Sequence, residues 1–318
     1  MTELELLRMG TAALKKAALY EQAKAFILNN ATLYASLKKA AERYIGGESL
    51  IETVDKVKQE NARGMKCSIE FMGENTRTES EANDATQEFI AIARSIKANQ
   101  LNSTLSLDLS HIGLAISKDL CKQNLAAICD IAALNHTEVT ISAEGADRTD
   151  DVIELYQWGA KHNPQLSITL QAYLHRTEDD FNDLIKLPGR IRMVKGAFEV
   201  PAELALARGA SLDERYLGYI EQLFRAQHKC AIATHHDYIQ QEAKKLIEQH
   251  KPDPQLYEFE SLYGIQTEQL LTLKQEGYPV KLYFVYGKEW YLYVCNRIAE
   301  YPLNIFRALH DLTNAQNL

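Results

Sequence analysis

Two rhythms of apolar residues divide the chain near residue 65. Before it, Thr11–Asn29, Ala31–Tyr44 and Glu48–Asn61 carry apolar positions at helical spacing, with breaks at Asn29-Asn30 and Gly46-Gly47. After it, short β-rich runs recur at fairly regular intervals. They are Cys67–Met72, Thr104–Leu109, Glu138–Ala143, Leu166–Gln171, Ile191–Val194, Cys230–Thr234, Leu256–Phe259 and Val280–Val285. The stretches between them are long enough for helices, and Thr149–Lys161 and Leu212–Gln227 have amphipathic spacing. This pattern predicts a helical N-terminal segment, residues 1–65, followed by one α/β domain, residues 66–318.

Strands alternating with helices imply a parallel sheet covered on both faces. Eight units in roughly 250 residues are the size of a closed (β/α)8 TIM-type barrel, whose active site lies at the C-terminal ends of the strands. An open doubly wound sheet is the alternative, but the G-x-G-x-x-G turn expected after its first strand is absent.

Composition narrows the function classes. The 318 residues are 46% hydrophobic and carry a net charge of −8, with no block of basic residues, so a nucleic-acid partner is not expected. Apolar runs fall far short of the ~20 residues that span a bilayer, and residues 1–10 do not read as a secretory signal. The five cysteines are scattered and form no C-x-x-C pair, which speaks for a reducing, cytoplasmic setting without a disulfide framework or metal centre.

If the barrel is right, polar residues at strand ends become candidate site residues: Glu74, Asp108, Glu144, Gln171, Arg192 with Lys195, Thr234 with His235 and His236, Glu258 with Glu260, and Tyr283. Three chemistries fit them. A metal hydrolase is disfavoured because His235 and His236 would point to opposite faces of one strand. A Schiff-base enzyme could use Lys195. A dinucleotide site would use Arg192, Lys195 and Gly196, where glycine lets the backbone approach a ligand closely.

The run Arg192-Met193-Val194-Lys195-Gly196-Ala197-Phe198 resembles the R-L-V-K-G-A-Y signature of the proline dehydrogenase family. Collinear matches follow: Gly73-Glu74 with L-G-E, Gln171-Ala172-Tyr173 with Q-A-Y, and Ala233-Thr234-His235 with A-T-H. Glu258–Ile265 is similar to E-F-Q-M-L-Y-G-I, Tyr283–Gly287 to Y-V-P-Y-G, and Arg297–Glu300 to the end of R-R-I-A-E. The likeness spans roughly residues 65–310. It implies a distorted barrel that holds FAD non-covalently through Ala143, Gln171, Arg192, Lys195, Gly196, Ala197, Thr234 and His235, with oxidation of a C–N bond by hydride transfer to flavin N5. Arg192, Ser142 and Tyr283 fall at catalytic positions. Asp108, Asn296, Arg297, Glu74, Leu262, Phe198 and Glu300 fall at substrate positions.

Several of these depart from the family pattern. Asn296 replaces the first of two arginines, Asp108 stands where the family has a lysine, and Ser142 replaces an aspartate. Phe198 replaces a tyrosine, and Val285 a proline. The substrate end is therefore more negative than in the family. Losing one partner of a desolvated arginine–carboxylate pair costs about 2–5 kcal/mol. The expectation is an FAD-dependent dehydrogenase for a proline-like or other amine without a free carboxylate, or with an extra cation that Asp108 and Glu74 could meet. The alternatives are an ordinary L-proline dehydrogenase giving 1-pyrroline-5-carboxylate, and an inactive flavin-binding homologue. The resemblance also implies a quinone acceptor reached by peripheral membrane contact, although no basic amphipathic helix supports such contact, and oxygen or a soluble carrier is equally open as acceptor.

Overall fold

On the strands, residue type alternates with period two. Cys67, Ile69 and Phe71 alternate with Lys66, Ser68 and Glu70; Leu166, Ile168 and Leu170 with Ser167, Thr169 and Gln171; Val280 and Leu282 with Lys281 and Tyr283. The apolar set packs under the helices, and the polar set turns inward, because it forms bonds across the ring of strands. The interior of this barrel is polar.

The computed structural model describes residues 2–18, 20–196 and 198–300. Eight parallel strands close in sequence order: β1 (Lys66–Phe71), β2 (Ser103–Leu107), β3 (Val139–Ile141), β4 (Leu166–Gln171), β5 (Ile191–Val194), β6 (Cys230–Ala233), β7 (Tyr257–Leu262) and β8 (Val280–Tyr286). Registers such as Ser106↔Thr140, Thr169↔Arg192 and Glu260↔Lys281 place polar residues beside polar residues.

Helices α1 (Glu3–Ala18), α2 (Glu21–Asn29), α3 (Ala31–Ala41) and α4 (Leu50–Ala62) precede the barrel. The helices α5 (Glu79–Ala98), α6 (Lys118–Leu134), α7 (Thr149–Ala160), α8 (Thr177–Leu184), α9 (Ala210–Arg225), α10 (Asp237–His250), α11 (Thr267–Gln275) and α12 (Trp290–Glu300) follow the successive strands. Helix α5 starts at a reciprocal cap in which Thr78 accepts from Glu81 N and Glu81 accepts from Thr78 N, two otherwise orphaned donors satisfied together. The single helix expected over Thr11–Asn29 is two, broken before Glu21 with neither glycine nor proline marking the break. The two histidines expected on a strand lie beyond β6, in the loop to α10.

The described residues fall into two compact units. One is Val57–Tyr283; the other consists of the described residues within Met1–Lys56 and Phe284–Leu318. In the second unit Glu48 is a hub, accepting from Trp290 Nε1 at 2.8 Å and from Tyr34, with Lys38 Nζ at 2.9 Å. Helices α1 and α12 touch where Thr11 Oγ1 donates to Ala299 O. No described helix is long and apolar enough to cross a membrane.

Candidate active site

The inward polar residues of the Val57–Tyr283 unit form two layers. Toward the strand N-termini, charge meets charge. Glu258 lies 2.6 Å from Lys281 Nζ and 2.9 Å from Lys66 Nζ, and Arg190 pairs with Glu138 at 3.1 Å. Burial alone would raise the Glu258 carboxyl, but Lys281, Arg190 and Lys66 hold it well below the ordinary carboxylate range. Glu258 was expected at the C-terminal end of its strand. It is instead the second residue of β7, which continues to Leu262, and it serves this lower layer. Glu260, two residues on, links the layers, its Oε2 forming an ion pair with Lys281 Nζ at 2.9 Å and its Oε1 accepting from Arg192 Nη1 at 3.2 Å.

In the upper layer the charge is held mainly by hydroxyls. Arg192, 5% exposed, donates from Nε to Thr169 Oγ1 (2.8 Å), from Nη1 to Ser106 Oγ (3.2 Å) and from Nη2 to Ser142 Oγ (3.0 Å). Ser106 Oγ, which accepts from Arg192, also shares a hydrogen bond with Ser68 Oγ at 2.8 Å in which either hydroxyl can donate. The Tyr283 ring centroid lies 5.1 Å from the guanidinium carbon. Of the five guanidinium hydrogens, one on Nη2 has no acceptor among the described residues.

Glu70, on β1, completes this layer. Its Oε2 accepts from Ser142 Oγ at 2.7 Å and from the Tyr283 hydroxyl. Burial raises its carboxyl, against the pull of Tyr283, Arg192 and Ser142. Glu70, Ser106 and Thr169 are not among the site residues expected from the sequence. The signal that reveals them is the alternation itself, which puts Glu70 on the same face as Ser68 and Lys66.

Above this layer lies the mouth. Asp108 follows β2; its carbonyl accepts from His111 N at 3.2 Å, while its carboxylate makes no hydrogen bond or ion pair to a described residue. Burial first, then Glu70, Glu144 and Glu74, push its carboxyl well above the ordinary range. Glu144 accepts from Ser110 N at 2.7 Å, and Glu74 is exposed in the loop after β1. Gln171 donates from Nε2 to Glu144 O at 3.0 Å, while its buried Oε1 has no partner.

Lys195 pairs with Asp213 at the start of α9 and lies 2.8 Å from His236 Nδ1. Gly196 has φ +126°, and a Cβ there would meet the Tyr173 ring at 2.4 Å, so only glycine fits. Thr234 Oγ1 accepts from His236 N, and His235 Nε2 accepts from Leu262 N at 3.4 Å. Phe198 is exposed, its carbonyl accepting from the Tyr173 hydroxyl. Ala143 is half-buried just past Ser142. Asn296, Arg297 and Glu300 lie on α12, in the other unit, where Arg297 sits 5.3 Å from the Tyr293 ring. Ala197 and the Glu300 side chain lie outside the described residues. Among the described residues, no three His, Cys, Asp or Glu side chains are grouped to hold a metal ion.

The sequence profile of the proline dehydrogenase family matches residues 53–293, which contain both layers and the mouth. The chain belongs to the proline dehydrogenase family. It is 32% identical over 290 residues to "Proline dehydrogenase 2" of Bacillus subtilis (strain 168), covering 91% of this chain and 96% of the relative. "Proline dehydrogenase 1" of the same strain is 32% identical over 284 residues, covering 88% and 94%. Among solved structures, proline utilization A from Bdellovibrio bacteriovorus superposes with a TM-score of 0.81 at 18% identity. That match covers 92% of this chain and 36% of the other, so the chain spans about a third of that protein's length and shares its fold. As a family member the chain is an FAD-dependent oxidoreductase acting on CH–NH groups.

The residues present fit a flavin. An uncommitted N–H on Arg192, an unpartnered buried acceptor on Gln171 and a backbone at Gly196 stripped of its Cβ are complementary to a planar ligand rich in both donors and acceptors.

Proposed function

We propose that the chain oxidises L-proline to 1-pyrroline-5-carboxylate and passes the electrons to a quinone-type acceptor. The observation that carries this reading is Arg192, a buried cation tethered from several strands with one donor left over, inside the segment that matches the family. FAD, when bound, supplies the two-electron acceptor for the substrate's C–N carbon. Arg192, Gln171, Lys195, Gly196, Thr234 and His235 are the described residues that would hold it, with Ala143 and Ala197 assigned by the sequence match.

Arg192 presents a positive charge that need not reorient during the reaction, because its hydroxyl partners and Glu260 already fix it. The Tyr283 ring and Leu262 pack the pyrrolidine. On the sequence match alone, Arg297 with Asn296 receives the carboxylate.

The altered substrate positions pointed to an amine other than free proline. The full-length likeness to two proline dehydrogenases favours proline itself. The electrostatics of Asp108 support that choice. Its shift toward the neutral form weakens the repulsion that a charged aspartate would exert on a substrate carboxylate.

The test is anaerobic titration of the yellow holoenzyme with L-proline, proline methyl ester and a basic amine in parallel. L-Proline is expected to bleach the flavin fastest. Bleaching by the ester or the amine with free proline inert would overturn the proline reading in favour of a carboxyl-blocked or cationic substrate, and no bleaching by any of them would mark a flavin-binding homologue without dehydrogenase activity.

A further inference from the structure

Ser142 stands where the family carries an aspartate, yet the site has not lost its carboxylate. We propose that Glu70 supplies it from β1, and that it positions Tyr283 directly and Arg192 through Ser142. This rests on the proline dehydrogenase reading and assigns a residue to it.

Three observations carry the inference. Glu70 is 6% exposed and lies inside the barrel, where a carboxylate without partners would be costly. One of its oxygens, Oε2, receives two hydroxyls of the upper layer, Ser142 at 2.7 Å and Tyr283. Finally, the Ser142 hydroxyl has a single proton. Given to Glu70, that proton leaves a lone pair for Arg192 Nη2 at 3.0 Å. Glu70 therefore sets which way the Ser142 hydroxyl faces. It also fixes the Tyr283 ring that lies against the guanidinium.

The relocation has an electrostatic effect. A carboxylate at position 142 would stand one hydroxyl closer to Arg192 than Glu70 does. With the charge set back, Arg192 is neutralised less at short range. In a mouth that has exchanged a lysine for Asp108, this preserves positive charge where an anionic substrate is handled.

Glu70 is thus a positioning residue, and moving the carboxylate back tests it. Glu70→Gln, Ser142→Asp and the double variant are prepared as FAD-loaded enzyme. The limiting rate of flavin reduction by L-proline is measured, and the visible band of the bound flavin is recorded without substrate. Glu70→Gln is expected to slow reduction roughly 10- to 100-fold, the usual effect of losing a hydrogen bond to a buried charged group, and to shift the band. The double variant, which restores one carboxylate, is expected to regain most of the rate and the wild-type band. Ser142→Asp alone puts two carboxylates in one pocket and is expected to slow reduction about tenfold.

A double variant no faster than Glu70→Gln, or a Glu70→Gln enzyme like wild type in rate and band, would overturn the proposal. If Glu70→Gln does not fold, Ser142→Asp decides alone, and wild-type behaviour there refutes it. A wild-type enzyme that L-proline cannot bleach would sink the proline reading instead, and the band positions would still report on Glu70.

Discussion

The two layers inside the barrel treat charge in opposite ways. Below, Glu258 meets Lys281 and Lys66, and Arg190 meets Glu138, so each charge has a charged neighbour within about ion-pair distance. Above, Arg192 is gripped by Thr169, Ser106 and Ser142, with Glu260 its one direct carboxylate partner. Neutral hydroxyls fix a guanidinium's direction without quenching its field. The lower layer is arranged to be stable, and the upper layer to stay electrostatically active.

This contrast is most sharply broken from below. Glu258→Gln leaves Lys281, Lys66 and Arg190 facing each other in a buried space, and the expected loss is about 3–5 kcal/mol in urea unfolding, with the KM for proline unchanged in the enzyme that remains folded. A loss under about 1 kcal/mol would mean that the lower layer is not where stability is stored.

Arg192→Lys breaks it from above. A lysine keeps the charge but cannot serve Thr169, Ser106 and Ser142 together, so kcat should fall about 100- to 1000-fold while the unfolding midpoint moves little. A melting temperature that collapsed along with kcat would erase the distinction between the layers.

Acid separates the two ends more gently. His111, beside the mouth, stacks on Phe71 at 5.2 Å, and burial pushes its imidazole down to about 4. A depressed pKa means that the fold accepts the neutral ring. The contribution is fully present above the unfolded value near 6.5 and is lost as pH falls through about 4, an effect of order 3 kcal/mol. Glu258, held far lower by its cations, keeps its charge through that window. Melting temperature against pH should therefore decline between about 6.5 and 4. A His111→Phe chain should flatten that decline, and an unchanged slope would remove His111 as its source.

How far the sequence led depended on range. Eight strands were legible because β-rich runs separated by helical spacing are local signals, and β4 and β5 matched to the residue. The run containing Glu258 was ended too early, since two glutamates in a strand read as a boundary until Lys281 and Arg192 are known to face them. Glu70 passed unnoticed for the same reason. Its partners are 72 and 213 positions away, and nothing near it in the chain reports on them. Asp108 was read as a full negative charge because its neighbours Glu70 and Glu144 are brought to it only by barrel closure.

The guanidinium of Arg192 has a consequence for how such a molecule can change over generations. Side chains from β2, β4, β7 and β8, and from the residue that follows β3, all touch this one group. If any of those strands slid by one residue against its neighbour, its contact would be exchanged for an outward-facing apolar side chain. The stagger of the cylinder is thereby coupled to a single side chain, so a position such as Ser142 can exchange one polar group for another but cannot shift in register without giving up its contact.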